Sequence, residues 1–218
     1  MSFESGWGFS RLTSPRDEPR VKEPTPATLA RVIDGDRSVQ GALLKQHYFF
    51  IRRMLFRLVG PSADLEDLQQ TVMMQILKSV HRYKPTASFQ TWVGSICVHV
   101  ARNSLRQRAH RESVSVSSDD SEASCGALLV GTDDPHATIA ARQQLHCCQR
   151  ALASLSTEQR MAFVLRVLDG HSIDEVATMM GAAKSTTRMR LYWGRKVFAR
   201  ALAAEGVELP AALGEHLT

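Results

Sequence analysis

Acidic residues are missing from two long stretches of this chain. None occurs from Leu68 to Arg111, and none from Val176 to Ala204. The first stretch holds Lys78, Arg82, Lys84, Arg102, Arg106, Arg108 and Arg111; the second holds Lys184, Arg188, Arg190, Arg195, Lys196 and Arg200. Between them the sign inverts. Glu112, Asp119, Asp120, Glu122, Asp133 and Asp134 fall in a segment without Lys or Arg. The net charge of +5 over 218 residues understates this segregation. A helix face of one sign repels itself in water and suits a polyanion. The pattern predicts two DNA-facing modules joined by a linker that avoids DNA.

Other absences narrow the class. No run reaches the roughly 18 apolar residues that a membrane span needs, so no membrane insertion is expected. The start, MSFESGWGFS, lacks the basic opening and apolar middle of a signal peptide, which points to the cytoplasm. The four cysteines, Cys97, Cys125, Cys147 and Cys148, fit no zinc spacing. The adjacent Cys147 and Cys148 beside His146 hint at metal or redox sensing, but incidental reduced thiols are the simpler reading. No metal, cofactor or catalytic residue is assigned. Strand-like alternation and internal repeats are both lacking, which leaves an all-α chain.

Residues 1–28 hold Pro15, Pro19, Pro24 and Pro26 among charges and small side chains, the composition of a disordered arm. Helical periodicity begins near Leu29. Leu43, Leu44, Phe50, Ile51, Met54, Leu55 and Leu58 recur at three- and four-residue steps until Gly60-Pro61. Asp64 or Ser62 opens the next helix, with Leu65, Leu68, Val72, Ile76 and Val80 on one face. The loop Tyr83–Ser88 is broken by Pro85. A third helix runs from Phe89 to Arg108 with Trp92, Ile96 and Val100 inward. The first module is thus 29–111. Residues 112–135, rich in Ser, Asp and Gly, form the linker. The second module, 136–204, places Leu145, Leu152 and Leu155 inward and opens a helix at Ser156-Thr157-Glu158-Gln159. That helix carries Met161, Val164, Leu165 and Leu168 and closes at Asp169-Gly170. Residues 205–218 are a tail.

The densest signal is Ser172–Arg195, SIDEVATMMGAAKSTTRMRLYWGR, which reads as a helix-turn-helix. Ser172 and Glu175 have the spacing of a capping box ahead of a helix over Ile173–Met180. Gly181 supplies the left-handed turn. The second helix then presents Lys184, Ser185, Thr186, Thr187, Arg188 and Arg190 at its N-terminal end, with Arg195 further along. The N-terminal end of a recognition helix is what enters the major groove, where cations meet phosphates and guanine edges.

In this order the pieces resemble the extracytoplasmic-function (ECF) sigma factors, two-domain initiation subunits of bacterial RNA polymerase. Three motifs carry the likeness: Asp64-Leu65-Glu66-Asp67-Leu68-Gln69-Gln70, the Phe89-Gln90-Thr91-Trp92 helix start, and Leu155-Ser156-Thr157-Glu158-Gln159-Arg160 ahead of the helix-turn-helix. The resemblance covers about 29–111 and 139–202. It implies that Asp64, Asp67, Leu68, Gln70 and Met73 dock on core polymerase. It implies that Tyr83, Lys84, Ser88, His99, Arg102, Asn103, Arg106 and Arg108 open and read the downstream (minus-ten) promoter motif. Trp92 could stack on a melted base, but its register with Ile96 favours the core. The upstream (minus-thirty-five) motif would fall to the second helix of the helix-turn-helix, where Thr186 and Arg190 match the family best.

Two departures stand out. His99 replaces an Asn common in the family, which bears on base preference. Ala183 replaces a frequent capping Ser, a loss of about 0.5–2 kcal/mol unless Ser185 or a DNA phosphate compensates. Core RNA polymerase and promoter DNA are the implied partners, and an anti-sigma factor is left open as a third. The rival reading is a stand-alone helix-turn-helix regulator, although no heptad seam or ligand-domain pattern precedes the motif. A recombinase or nuclease would need clustered carboxylates, and Asp64, Glu66 and Asp67 point to different sides of one helix.

Overall fold

Among the described residues regular structure begins at Pro26, three residues earlier than the periodicity suggests. In the computed structural model, which describes residues 22–60, 62–114, 143 and 146–206, helix α1 spans Pro26–Ile33. Thr25 caps it by accepting from the Thr28 amide at 3.1 Å, and Pro26 takes the first turn, where no amide is needed. Residues 22–25 are bonded to the body rather than to a loose arm. The Lys22 carbonyl accepts from Gln46 at 2.7 Å, and the Glu23 carboxylate accepts from the Phe89 amide at 2.8 Å. The rest of the expected arm, most of the linker, Leu145 and the tail beyond 206 lie outside the described residues.

Helix α2 (Arg37–Val59) starts at Asp36, whose carboxylate accepts from the Ser38 and Val39 amides. That carboxyl is held below its ordinary value, first by the Arg31 side chain and then by the Val39 amide. Gly60 ends the helix at φ +85°, a conformation other residues rarely adopt. Helices α3 (Leu65–Ser79) and α4 (Phe89–Val114) follow, separated by a short 3₁₀ turn at Val80–Arg82 and the 83–88 loop. Leu43, Ile51, Met54, Leu55, Leu58, Val72, Ile76, Val80, Val93, Cys97 and Ala101 form the core that α2, α3 and α4 share. Leu68, which the periodicity puts on the apolar face and the resemblance on the docking face, is half-buried.

Among the described residues every regular element is helical, and the chain divides into two compact units. One comprises residues 22–114 with 174–183; the other comprises 146–173 with 184–206. Helix α7 (Ile173–Met180) therefore groups mostly with the first unit. There the Met179 methyl fills the space beside Gly94, where a side chain would come within 2.9 Å of it.

In the second unit, helix α5 covers residues 146–153. Helix α6 (Thr157–Phe163) opens on a complete capping box: Ser156 accepts from the Gln159 amide, and the Gln159 side chain accepts from the Ser156 amide. It widens into a π-helical turn at Val164–Leu168, which the periodicity does not reveal. Helix α8 (Lys184–Ala204) packs on α6 with Phe163 and Phe198 at 4.5 Å between ring centroids. At Gly194 an added Cβ would lie 3.3 Å from the Gln159 carbonyl oxygen, so glycine permits this close crossing. Arg150 grips the far end of α8 through both Glu205 oxygens, at 2.9 and 2.5 Å.

Candidate nucleic-acid interface

Helix α4 owes its direction to an aromatic cluster. The rings of Tyr83 and Phe89 lie 5.1 Å apart, Phe89 and Trp92 5.1 Å, and His47 meets Phe89 edge-on at 5.2 Å. Tyr83 also donates its hydroxyl to the Ala87 carbonyl at 2.9 Å, closing the 83–88 loop. Ser88 caps α4 by accepting from the Thr91 amide at 3.0 Å. Two expected downstream contacts, Tyr83 and Ser88, are thus occupied in building the loop. Trp92 is half-buried in the cluster, whereas Ile96 and Val100 are buried as expected.

Apart from Lys84, the rest of the downstream set is distributed along α4 at helical steps. His99, Asn103 and Arg106 are exposed and share one face at positions i, i+4 and i+7. The Asn103 amide nitrogen lies 3.2 Å from His99 Nε2, so imidazole and amide form one hydrogen-bonded pair at the surface. Lys84 is exposed on the loop. Arg102 is half-buried and donates to the Met180 carbonyl at 3.3 Å, within the same unit. Arg108 turns back to Asp64 at 3.2 Å and to the Ser62 hydroxyl. That pairing joins a residue expected on DNA to one expected on polymerase.

On α3 the exposed face holds Asp67, Gln70 and Met74 at i, i+3 and i+7. Met73 sits half-buried at its edge. Met74, 56% exposed, was not among the expected docking residues, although its spacing from Asp67 marks the face. Gln69 between them is buried and donates to the Tyr48 carbonyl at 3.1 Å. Tyr48 and Phe49 add exposed apolar surface on α2, Phe49 at 79%.

Helix α8 presents Lys184, Ser185, Thr186 and Arg188 to solvent. Thr187 does not belong with them. It is fully buried, because it shares a face with Leu191, Phe198 and Leu202. Arg190 is half-buried and ion-paired to Glu158 of α6 at 3.1 Å. Arg195 is half-buried as well; desolvation, then the nearby Arg166, lowers its proton affinity. Three residues that sequence reasoning passed over, Met189, Tyr192 and Trp193, fill the face opposite Thr187 together with Lys196, which stands out in the sequence only as a cation. The Lys196 ammonium lies 4.6 Å from the Tyr192 ring centroid and 5.5 Å from that of Trp193. Their steps of three and four residues were the available signal. Among the described residues no three His, Cys, Asp or Glu side chains are grouped to hold a metal, and no helix is long and apolar enough to cross a membrane.

Comparison with known proteins also divides the chain in two, although its second segment takes in residues 174–183, which group with the first unit. A family model described as Sigma-70 region 2 matches residues 43–111, and one described as Sigma-70, region 4 matches residues 145–197. The ECF RNA polymerase sigma-E factor of Escherichia coli (strain K12) is 27% identical over 170 residues, 76% of this chain and 87% of that protein. The ECF RNA polymerase sigma factor SigE of Mycolicibacterium smegmatis is 29% identical over 192 residues, 86% of this chain and 69% of that protein. The fold resembles that of the sigma factor RpoE solved with the anti-sigma factor NepR from Bartonella quintana. There the TM-score is 0.58 at 21% identity, over 75% of this chain and 96% of that one. A second solved structure, CnrH with the cytosolic domain of CnrY, gives 0.54 at 19% identity, over 82% of this chain and 96% of that one. With both sigma-70 regions matched in order and ECF sigma factors as relatives over most of its length, this chain belongs to the extracytoplasmic-function sigma factor family.

Proposed function

We propose that this chain binds core RNA polymerase and directs it to promoters for transcription initiation, with no catalytic centre of its own. One observation supports this most. Each segment matched to a sigma-70 region carries an exposed helix face suited to nucleic acid: His99, Asn103 and Arg106 on α4, and Lys184, Ser185, Thr186 and Arg188 on α8. In this reading α4 serves the downstream motif and α8 the upstream one. The α3 face of Asp67, Gln70 and Met74 docks on polymerase. Polar groups around one exposed apolar residue suit a surface that must be soluble when free and dry when bound. The solved RpoE structure holds an anti-sigma factor, and a protein of that kind is the further partner we infer here. The work belongs in the cytoplasm, where polymerase and promoters are.

The decisive experiment is runoff transcription with core polymerase on a pool of genomic fragments, followed by sequencing of the start sites. Discrete starts that need both core and this chain are expected. Specific binding to DNA without core polymerase would favour a stand-alone helix-turn-helix regulator. Gln70→Ala with Met74→Glu should abolish binding to core while circular dichroism keeps its helical signal. Binding that survives in the folded variant would remove α3 from the docking face.

A further inference from the structure

We propose that Met189, with Tyr192 beside it, reads thymine methyl groups in the upstream motif, an inference that rests on α8 being a DNA-recognition helix. Ser185, Met189, Tyr192 and Lys196 follow at i, i+4, i+7 and i+11 and so share one face of α8. The opposite face carries Thr187, Leu191, Gly194, Phe198 and Leu202, all buried. Met189 is 54% exposed, Tyr192 47% and Trp193 49%. Single exposed apolar residues are ordinary, but three large ones within about one helical turn make a patch that a partner is expected to cover.

Charge identifies the partner. Arg188, Lys196 and Arg200 are exposed around the patch, and Lys196 is held over the Tyr192 and Trp193 rings. The chain has no carboxylate from Val176 to Ala204. Apolar side chains ringed by cations of one sign complement an apolar feature ringed by phosphates. In the major groove that feature is the thymine C5 methyl, which stands among polar base edges. A thioether donates no hydrogen bond and accepts poorly, so Met189 has little to offer those polar edges. Its unbranched, flexible side chain can settle against a methyl group. Position agrees. Met189 is five residues past the start of α8, roughly 7.5 Å along the axis at about 1.5 Å per residue, so it lies in the N-terminal part that enters the groove.

The test uses the full chain with core polymerase on a promoter library randomised upstream, made once with thymine and once with deoxyuridine, which lacks only the methyl. The wild type should enrich thymine at one or two upstream positions and lose about fourfold in occupancy there with deoxyuridine, the effect of one buried methyl-sized group. Met189→Ser should shrink that loss to less than twofold, and Met189→Leu should restore it. Thermal unfolding checks that both variants fold. A motif that still depends on Arg188 but treats thymine and deoxyuridine alike would overturn the methyl contact and leave α8 as a recognition helix. Loss of core binding in Met189→Ser would make the patch a protein dock and overturn it too. If no upstream motif is enriched at all, the recognition-helix reading falls, and this inference falls with it.

Discussion

Replacing Glu158 by Gln tests how the second unit presents its cations to DNA. Glu158 accepts from Arg190 at 3.1 Å, and each side chain is about a quarter exposed. At that distance the gross attraction is about 1 to 5 kcal/mol for effective dielectric constants from about 80 down to 20. Lost side-chain freedom and screening leave roughly 0.2–1 kcal/mol for a pair of this kind. The substitution should therefore cost less than about 1 kcal/mol of stability, and the unit stays folded. The larger effect is on DNA. With its charge compensated by Glu158, Arg190 releases fewer counterions than the exposed Arg188. Removing that compensation should steepen the salt dependence of upstream-duplex binding by up to about 0.9 in the slope of log K against log salt. In the natural background Arg188→Ala should flatten the slope more than Arg190→Ala does. In the Glu158→Gln background the two should become equal. Fluorescence anisotropy of the holoenzyme on labelled duplex, over a series of salt concentrations, measures both backgrounds, each alone and with either arginine replaced. An unchanged slope in Glu158→Gln would show that Arg190 does not meet DNA. A loss confined to one base pair would show that Glu158 aims Arg190 at a base rather than neutralising it. Either result refutes the reasoning.

His47 is buried, and desolvation holds its protonation below the ordinary value of 6.5 against the opposing pull of the Leu43 carbonyl and Glu23. Below about pH 6.5 the unfolded chain then binds more protons than the folded one, so stability is full above that pH and falls as the pH drops; the urea midpoint should be lower at pH 5.5 than at 7.5, and His47→Gln should reduce the difference. Gly194→Ala should change stability by less than about 1 kcal/mol, because helix propensity favours it while the Gln159 carbonyl at 3.3 Å crowds it; Gly194→Leu should lower the melting temperature sharply, and an unchanged melt would show that α6 and α8 can separate freely there. Burial, then its neighbour Cys147, pushes the Cys148 thiol up to about 11, so iodoacetamide at pH 8 should modify half-buried Cys147 first and reach Cys148 only after denaturation, as mass spectrometry of labelled peptides would read. His99→Asn should keep the fold, since the ring is exposed, and change the preferred base at one downstream position in a promoter library; an identical base profile would leave His99 as a surface partner of Asn103 only.

What the sequence made legible is local. Apolar steps of three and four located α2, α3 and α4, and Ser156 with Gln159 marked the start of α6, because caps and amphipathic faces are set by residues one or two turns apart. What it hid is contact at long separation. The bond from Glu23 to the Phe89 amide spans 66 residues, and it is one of the bonds that hold residues 22–25 against the body. The pairing of Arg108 with Asp64 spans 44 residues. Neither has a signature within reach of a helical period.

The recognition helix shows a different kind of miss. Sign and nearness to the helix start selected Lys184 to Arg190 as a block, yet a helix turns about 100° per residue and divides any such block among its faces. Thr187 stands four residues before Leu191 and eleven before Phe198, so its burial was implied by periodicity already applied elsewhere in the chain. The same turn carries Met189 and Tyr192 to the opposite side, into the company of Ser185 and Lys196. A count of cations treats such apolar residues as gaps between charges. Once faces are considered, they lie on the side that is free to meet a partner. Charge then accounts for affinity toward any phosphate backbone, and the residues between the charges are where discrimination among sequences has to come from.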